Sequence, residues 1–486
     1  MKEDVILIKL TVSYKEDITP DELYEVTSVS WKIGEDRLKE GFKYYCAVYK
    51  NEIKEVYKFL SYEKDPHPEK AGRFILKGRP ADEEIRSKLI GMDVSKIHKG
   101  SGNPIKYTTL EKLLIEEKLI DNSSDLKILH HIHNYILSKG YHYTLEQITN
   151  FYLSLKTKPF VILSGISGTG KTKIVQLFSE SLGATADNGQ FSLIPVRPDW
   201  SDGSDLIGYR DIKGEFRAGP FTKVLMEANK PENRDKPYFV LLDEMNLARV
   251  EYYFSDLLSV MESRDNKDGE LVSDPVVEET EVGRLLMRDN LFIIGTVNMD
   301  ETTHPFSPKV LDRANTIEYN EVVLDHFGFL SKESDAEPLS VSNKQVAGRF
   351  LNIKDAFFDH EDLVRKVTGL LVEVNTILEP IKAHFGYRVR DEVCFYMIYN
   401  NEGQLMKFDD AFDYQLAQKV LPRLTGNDQK TEVALKKLFL FCTSHEWDEM
   451  NATSIVKEAR FSKSAEKLSN MIPKIIKDGF ASFWGS

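Results

Sequence analysis

An eight-residue run, GISGTGKT at 165–172, constrains this chain more than any other feature. It matches GxxxxGK[ST], and its setting matches as well. PFVILSG before it reads as a buried strand, and KTKIVQLFSESLG after it opens a helix. Gly165, Gly168 and Gly170 leave room for backbone amides to curl around phosphate oxygens. Ser167 and Thr169 complete the phosphate-gripping turn, and Lys171 is expected to hold the β- and γ-phosphates. The Thr172 hydroxyl is expected to fill one place in a Mg2+ shell. The predicted cofactors are therefore Mg2+ and a nucleoside triphosphate, GTP or ATP.

Three further apolar runs, FSLIPV, PYFVLLDE and LFIIGTVN, alternate with helical stretches and end in polar residues. That succession predicts a mostly parallel sheet with helices on both faces, and ligands at the C-terminal ends of its strands. In YFVLLDEMN the carboxylates of Asp243 and Glu244 fall at a strand tip. Asp243 is expected to hold magnesium through water, and Glu244 to polarise the attacking water. Asn298 ends the next strand, where an amide can touch the γ-phosphate or orient that water. Arg313, in SPKVLDRA, follows shortly after. An arginine so placed does not reach its own nucleotide, but it can project as a finger into the site of a neighbouring subunit.

The pattern divides the chain into four stretches. Residues 1–110 are β-branched and aromatic, with turn-prone breaks, and predict a β-rich domain with a helix over 81–91. Helical periodicity over 111–157 predicts a linker, 158–325 the α/β core, and 326–486 a helical domain. Three scattered cysteines and the absence of a CxxC pair argue against a disulfide framework or a zinc site. The N-terminus lacks the pattern of a signal peptide, and no run is apolar enough to span a membrane, so a cytoplasmic location is expected. A net charge of −13 excludes wholesale coating of nucleic acid. Residues 43–106 nonetheless hold more basic than acidic side chains. No acidic–acidic–lysine cluster marks a nuclease centre.

Together these motifs resemble the AAA+ ATPases: the loop, the DE pair, the strand-terminal Asn298, Arg313 and then a helical domain. VRPDWSDGSDLIGY (196–209), Gly214-Glu215-Phe216 and DEMNLARVEYYFSDLLSVME narrow the resemblance to the branch holding the MoxR chaperones and the McrB family. The match covers about residues 145–320. One departure is that the family's MNTADRS reads VNMDETT here, with Glu301-Thr302 in place of Asp-Arg. McrB is a GTPase, and the departure leaves GTP and ATP both open.

The resemblance implies a motor of modification-dependent restriction, a defence system, and a homo-oligomeric ring, expected to be a hexamer. It implies cleavage by a separate McrC-like nuclease subunit, and DNA with modified bases read by residues 1–110. Among Trp31, Tyr44, Tyr45, Tyr49, Phe74 and Tyr107, Trp31 is the first choice for stacking on a base. The resemblance also implies a second sensor arginine, Arg388 ahead of Arg390, in HFGYRVRDE. A MoxR-like chaperone that remodels protein partners is the alternative.

Overall fold

A computed structural model describes residues 4–485 apart from 11–17, 50–51, 83–84, 87–88, 91–93, 95–103, 111–112, 114–124, 268–269, 300–303, 321, 323 and 325–335. The chain divides into two compact units, Met1–Ser124 and Asp125–Ser486.

The first unit is built on a five-stranded sheet. Strands β1 (Val5–Lys9) and β2 (Tyr44–Tyr49) pair in parallel; β3 (Glu52–Lys64), β4 (Phe74–Pro80) and β5 (Ile105–Thr108) join antiparallel, in the order β4-β3-β2-β1-β5. Side chains alternate across the sheet. Ile6, Ile8, Tyr45 and Tyr57 enter one core, while Val5, Leu7, Cys46 and Val56 enter a second on the opposite face. Two helices, α1 (Pro20–Ser28) and α2 (Glu35–Glu40), make the crossover from β1 to β2. Thr19 starts α1 with a reciprocal capping box to Glu22, and Pro20 sits at its first turn. The helix expected over 81–91 lies partly outside the described residues.

In the second unit, α3 (Asp125–Ser138) and α4 (Leu145–Thr157) lead into β6 (Phe160–Gly165), every residue of which is buried. Helix α5 (Lys171–Ser181) follows, then β7 (Phe191–Pro195), the hairpin β8 (Gly208–Arg210) and β9 (Phe216–Ala218), α6 (Pro220–Ala228), β10 (Tyr238–Asp243) and α7 (Ser255–Glu262). Two more hairpins, β11–β12 (Asp265–Lys267, Glu270–Val272) and β13–β14 (Pro275–Glu279, Gly283–Leu286), precede β15 (Leu291–Asn298) and β16 (Asn315–Glu318).

The main sheet is wholly parallel, in the order β16-β6-β15-β10-β7. Val161, Leu163, Leu241 and Ile294 pack on one side with α3, α4, α5 and the C-terminal helices. Phe160, Ile162, Val240 and Ile293 pack on the other with α6 and α7. The C-terminal helices are α8 (Glu361–Leu378), α9 (Tyr387–Gly403), α10 (Phe408–Gln415), α11 (Gln429–Thr443) and α12 (Ser462–Asp478). This is a parallel P-loop α/β core with a C-terminal helical region and an N-terminal β-sheet. No described helix is long and apolar enough to cross a membrane.

Candidate functional site

Strand β6 lies between β16 and β15, so the loop at its end opens one strand in from the β16 side of the sheet. The loop's shape depends on glycine at two places in particular. Gly165 has φ +149°, and a Cβ there would sit 2.3 Å from the Tyr319 carbonyl oxygen. Gly170 has φ +87°, and a Cβ would meet the Tyr143 hydroxyl at 2.3 Å. That hydroxyl donates to the Gly170 carbonyl at 2.8 Å, and the Ile166 amide donates to Asn320 Oδ1 at 3.1 Å. Lys171 Nζ donates back across the loop, to the carbonyls of Gly165 at 3.0 Å and Ile166 at 2.7 Å. Burial lowers the Lys171 pKa, and the nearby Asp243 and Glu244 carboxylates oppose that shift.

The polar tips of β10 and β15 meet the first turn of α5 beside Lys171. Thr172 Oγ1 donates to Asp243 Oδ1 at 2.8 Å, and Thr296 Oγ1 donates to the same oxygen at 2.7 Å. The Glu244 amide donates to Thr296 Oγ1 at 2.9 Å. Asn298 Nδ2 donates to Glu244 Oε1 at 2.7 Å, which points that carboxylate along the same edge. Glu244 itself has a left-handed backbone, φ 52° and ψ 49°.

Hydroxyl and carboxylate oxygens are hard donors, and Thr172 with Asp243 suits Mg2+ as a bound, partly hydrated ion. The phosphate cradle, the oxygen pair and the carboxylate oriented by an amide are the parts that phosphoryl transfer to water needs. Thr296 was not anticipated from sequence. Its signal was present, since it stands two residues before Asn298 and shares that residue's face of β15. Thr296→Val is expected to leave the Glu244 amide unpaired, costing about 1–3 kcal/mol of stability. Thermal unfolding checks this, and an unchanged midpoint would count against the bridge.

The structure does not bring Arg313 or Arg388 to this loop. Arg313 precedes β16 and so lies at the opposite, N-terminal edge of the sheet. Its Nε donates to the Leu258 carbonyl at 3.2 Å and its Nη1 to the Lys309 carbonyl at 2.7 Å, and its Nη2 pairs with Glu262. Arg388, in the first turn of α9, donates to the same Glu262 Oε1 at 2.6 Å. The Arg388 hydrogen bond is the chief cause holding Glu262 below its ordinary pKa, and the Arg313 charge adds to it. Arg390 pairs instead with Asp391 and lies over the Tyr387 ring. Glu301 and Thr302 lie outside the described residues.

In the first unit the six aromatics singled out above are all partly or wholly buried. Tyr45 and Phe74 are core residues, and the Trp31 indole N–H donates to the Thr27 carbonyl at 2.7 Å.

Comparison with known proteins agrees with this geometry. Residues 160–314 match the model of an AAA domain of the dynein-related subfamily, and residues 338–480 match a domain of unknown function. The Escherichia coli K12 "type IV methyl-directed restriction enzyme EcoKMcrB subunit" is 27% identical over 203 residues, which is 39% of this chain and 42% of that one. This chain thus spans less than half of that relative's length. Among solved structures, an ATPase described as putative from Cytophaga hutchinsonii is similar at 18% identity and a TM-score of 0.40, over 65% of this chain and 91% of that one. The Saccharomyces cerevisiae Hsp104:casein complex is similar at 17% and 0.28, over 42% and 37%. The strand order, the phosphate loop and the family match together place the core of this chain among the AAA+ ATPases.

Proposed function

We propose that this chain is a McrB-like motor: an AAA+ enzyme that hydrolyses GTP or ATP in a ring, expected to be a hexamer, and drives a separate McrC-like nuclease. Thr172 and Asp243 would hold Mg2+, which supplies charge neutralisation at the phosphates. Lys171 holds the β- and γ-phosphates against the loop. Glu244 accepts a proton from the attacking water, and Asn298 keeps its carboxylate aimed. Supporting the ring is the separation of the parts. The water-activating pair and Arg313 lie at opposite edges of one sheet, so a complete site needs a second copy. The match to a methyl-directed restriction subunit supports the restriction setting, with DNA read by residues 1–110. Nothing in the proposed chemistry makes the chain itself a nuclease.

A MoxR-like protein-remodelling role is the second reading. It is favoured by the burial of Tyr45 and Phe74, which removes two candidate base-stacking rings. Hydrolysis of each nucleotide, measured alone and with unmodified, methylated, hydroxymethylated and glucosylated duplexes, separates the two. Stimulation by a modified duplex is the expected result. Indifference to the whole panel would transfer support to protein remodelling.

Arg313→Ala and Glu244→Gln variants are each expected to lose turnover, and mixed rings should regain part of it. Such rings contain interfaces where both groups are intact. Mixed assemblies that stay inactive would remove the across-subunit role of Arg313.

A further inference from the structure

Two arginines 75 positions apart in sequence converge on one carboxylate oxygen, Glu262 Oε1, at the C-terminal end of α7. Their settings differ. The Arg313 side chain is only 12% exposed and has a partner at every nitrogen; that of Arg388 is 42% exposed and stands at the start of α9. The segment around Arg313 is held from both sides as well. Asp312 pairs with Arg423, and the Ala314 carbonyl accepts from the buried Lys419 at 2.8 Å.

The phosphate loop of the same chain is out of reach of both arginines. Strand β6 has six residues, and at roughly 3.3 Å per residue it separates the two sheet edges by about 17 Å. Two guanidinium groups sharing one site repel each other unless an anion lies between them. Glu262 is that anion, and its Cα belongs to a helix packed on the core face of the sheet.

We infer that Glu262 is a positioning residue that gathers Arg313 and Arg388 into one cationic pair, presented to the nucleotide of a neighbouring copy. This rests on the across-subunit reading above and extends it. Arg388 serves the neighbour's phosphates rather than its own, and Glu262 acts only through the two arginines. When a phosphate anion from the neighbour arrives, it competes with Glu262 for Arg388, the more exposed partner. Arg313 remains tied to the Leu258 and Lys309 carbonyls and keeps the site in register.

The test uses the full chain and mixed assemblies checked by size. Glu262→Gln keeps the side chain's shape and removes its charge. It is expected to lower kcat at least tenfold while KM for the nucleotide stays within twofold, because the loop that binds nucleotide is untouched. Mixing Glu262→Gln with Glu244→Gln subunits should restore activity. The intact Glu262 of one copy then serves the intact Glu244 of the next. A residue acting only on its own subunit would give no rescue. Arg388→Ala, mixed in the same way, is the second variant and needs no change in the buried part of the site.

If Arg313→Ala is rescued by Glu244→Gln but neither Glu262→Gln nor Arg388→Ala is, the pairing inference falls and the finger stands. If no mixture is rescued, the across-subunit reading falls with it. Wild-type turnover in Arg388→Ala would overturn the inference directly.

Discussion

Glutamine at position 244 is expected to lower turnover by about 10²–10⁴-fold while leaving nucleotide affinity close to that of the parent. The substitution keeps the amide that donates to Thr296 and leaves an oxygen able to accept from Asn298 Nδ2. What disappears is the basic oxygen proposed to take the water's proton. Such a loss appears in kcat and not in binding, since the group acts only as the reaction proceeds. Lys171→Ala is the counterpart. It removes the amine that spans the loop between the Gly165 and Ile166 carbonyls, and is expected to weaken binding itself. Equilibrium binding and steady-state hydrolysis measured on both variants check the assignment. Near-parental turnover with glutamine at 244 would exclude Glu244 as the base.

A second large effect is expected far from the phosphate loop. Glu392, on α9, lies between the ammonium groups of Lys158 and Lys419, and all three side chains are buried or nearly so. Lys419 is 0% exposed and also caps the Ala314 carbonyl. Glu392→Gln is expected to cost about 3–5 kcal/mol, because two buried cations lose their counter-charge.

The pH dependence has a definite sign. Burial alone would raise the Glu392 pKa, but Lys158 and Lys419 outweigh it and hold it below 4.5. The group therefore contributes stability above that value, and the contribution is lost as pH falls through the lower, folded pKa. Denaturant unfolding at neutral and acid pH checks both statements. A glutamine variant within about 1 kcal/mol of the parent would show that the charge is dispensable, well below the cost of breaking such a pair.

The parts of this fold that could be read from the sequence are those with a short-range pattern. Apolar runs such as FVILSG, ending in polar residues, marked four strands of the main sheet, and the loop motif marked the end of β6. The fifth strand, β16, was missed. Its four residues, Asn315–Glu318, are three polar and one apolar, and they are strand only because β6 lies beside them. Helix α1 was also missed, although Thr19, Pro20 and Glu22 spell a capping box; the surrounding β-rich composition masked it. Helix α12 carries Pro473 in its interior, which reads as a break until its apolar stripe is seen to pack on α11.

Of the site, Lys171, Thr172, Asp243, Glu244 and Asn298 come together as their spacing implied, because parallel strands of one sheet end on one edge. The pairing of Glu262 with Arg388 had no such signal. It joins residues 126 positions apart through packing, which no local period records.

The backbone at Glu244 has a further consequence. A glutamate with φ 52° occupies a region that costs a side-chain-bearing residue about 1–2 kcal/mol, and that glycine or asparagine would enter more easily. Selection for a rugged protein alone would have replaced it. Retaining a glutamate there means the molecule carries a small permanent tension at the point of chemistry, met by the Thr296 contact and the surrounding sheet. A glycine placed at position 244 for heat resistance would thus relieve that tension by removing the residue proposed to activate water.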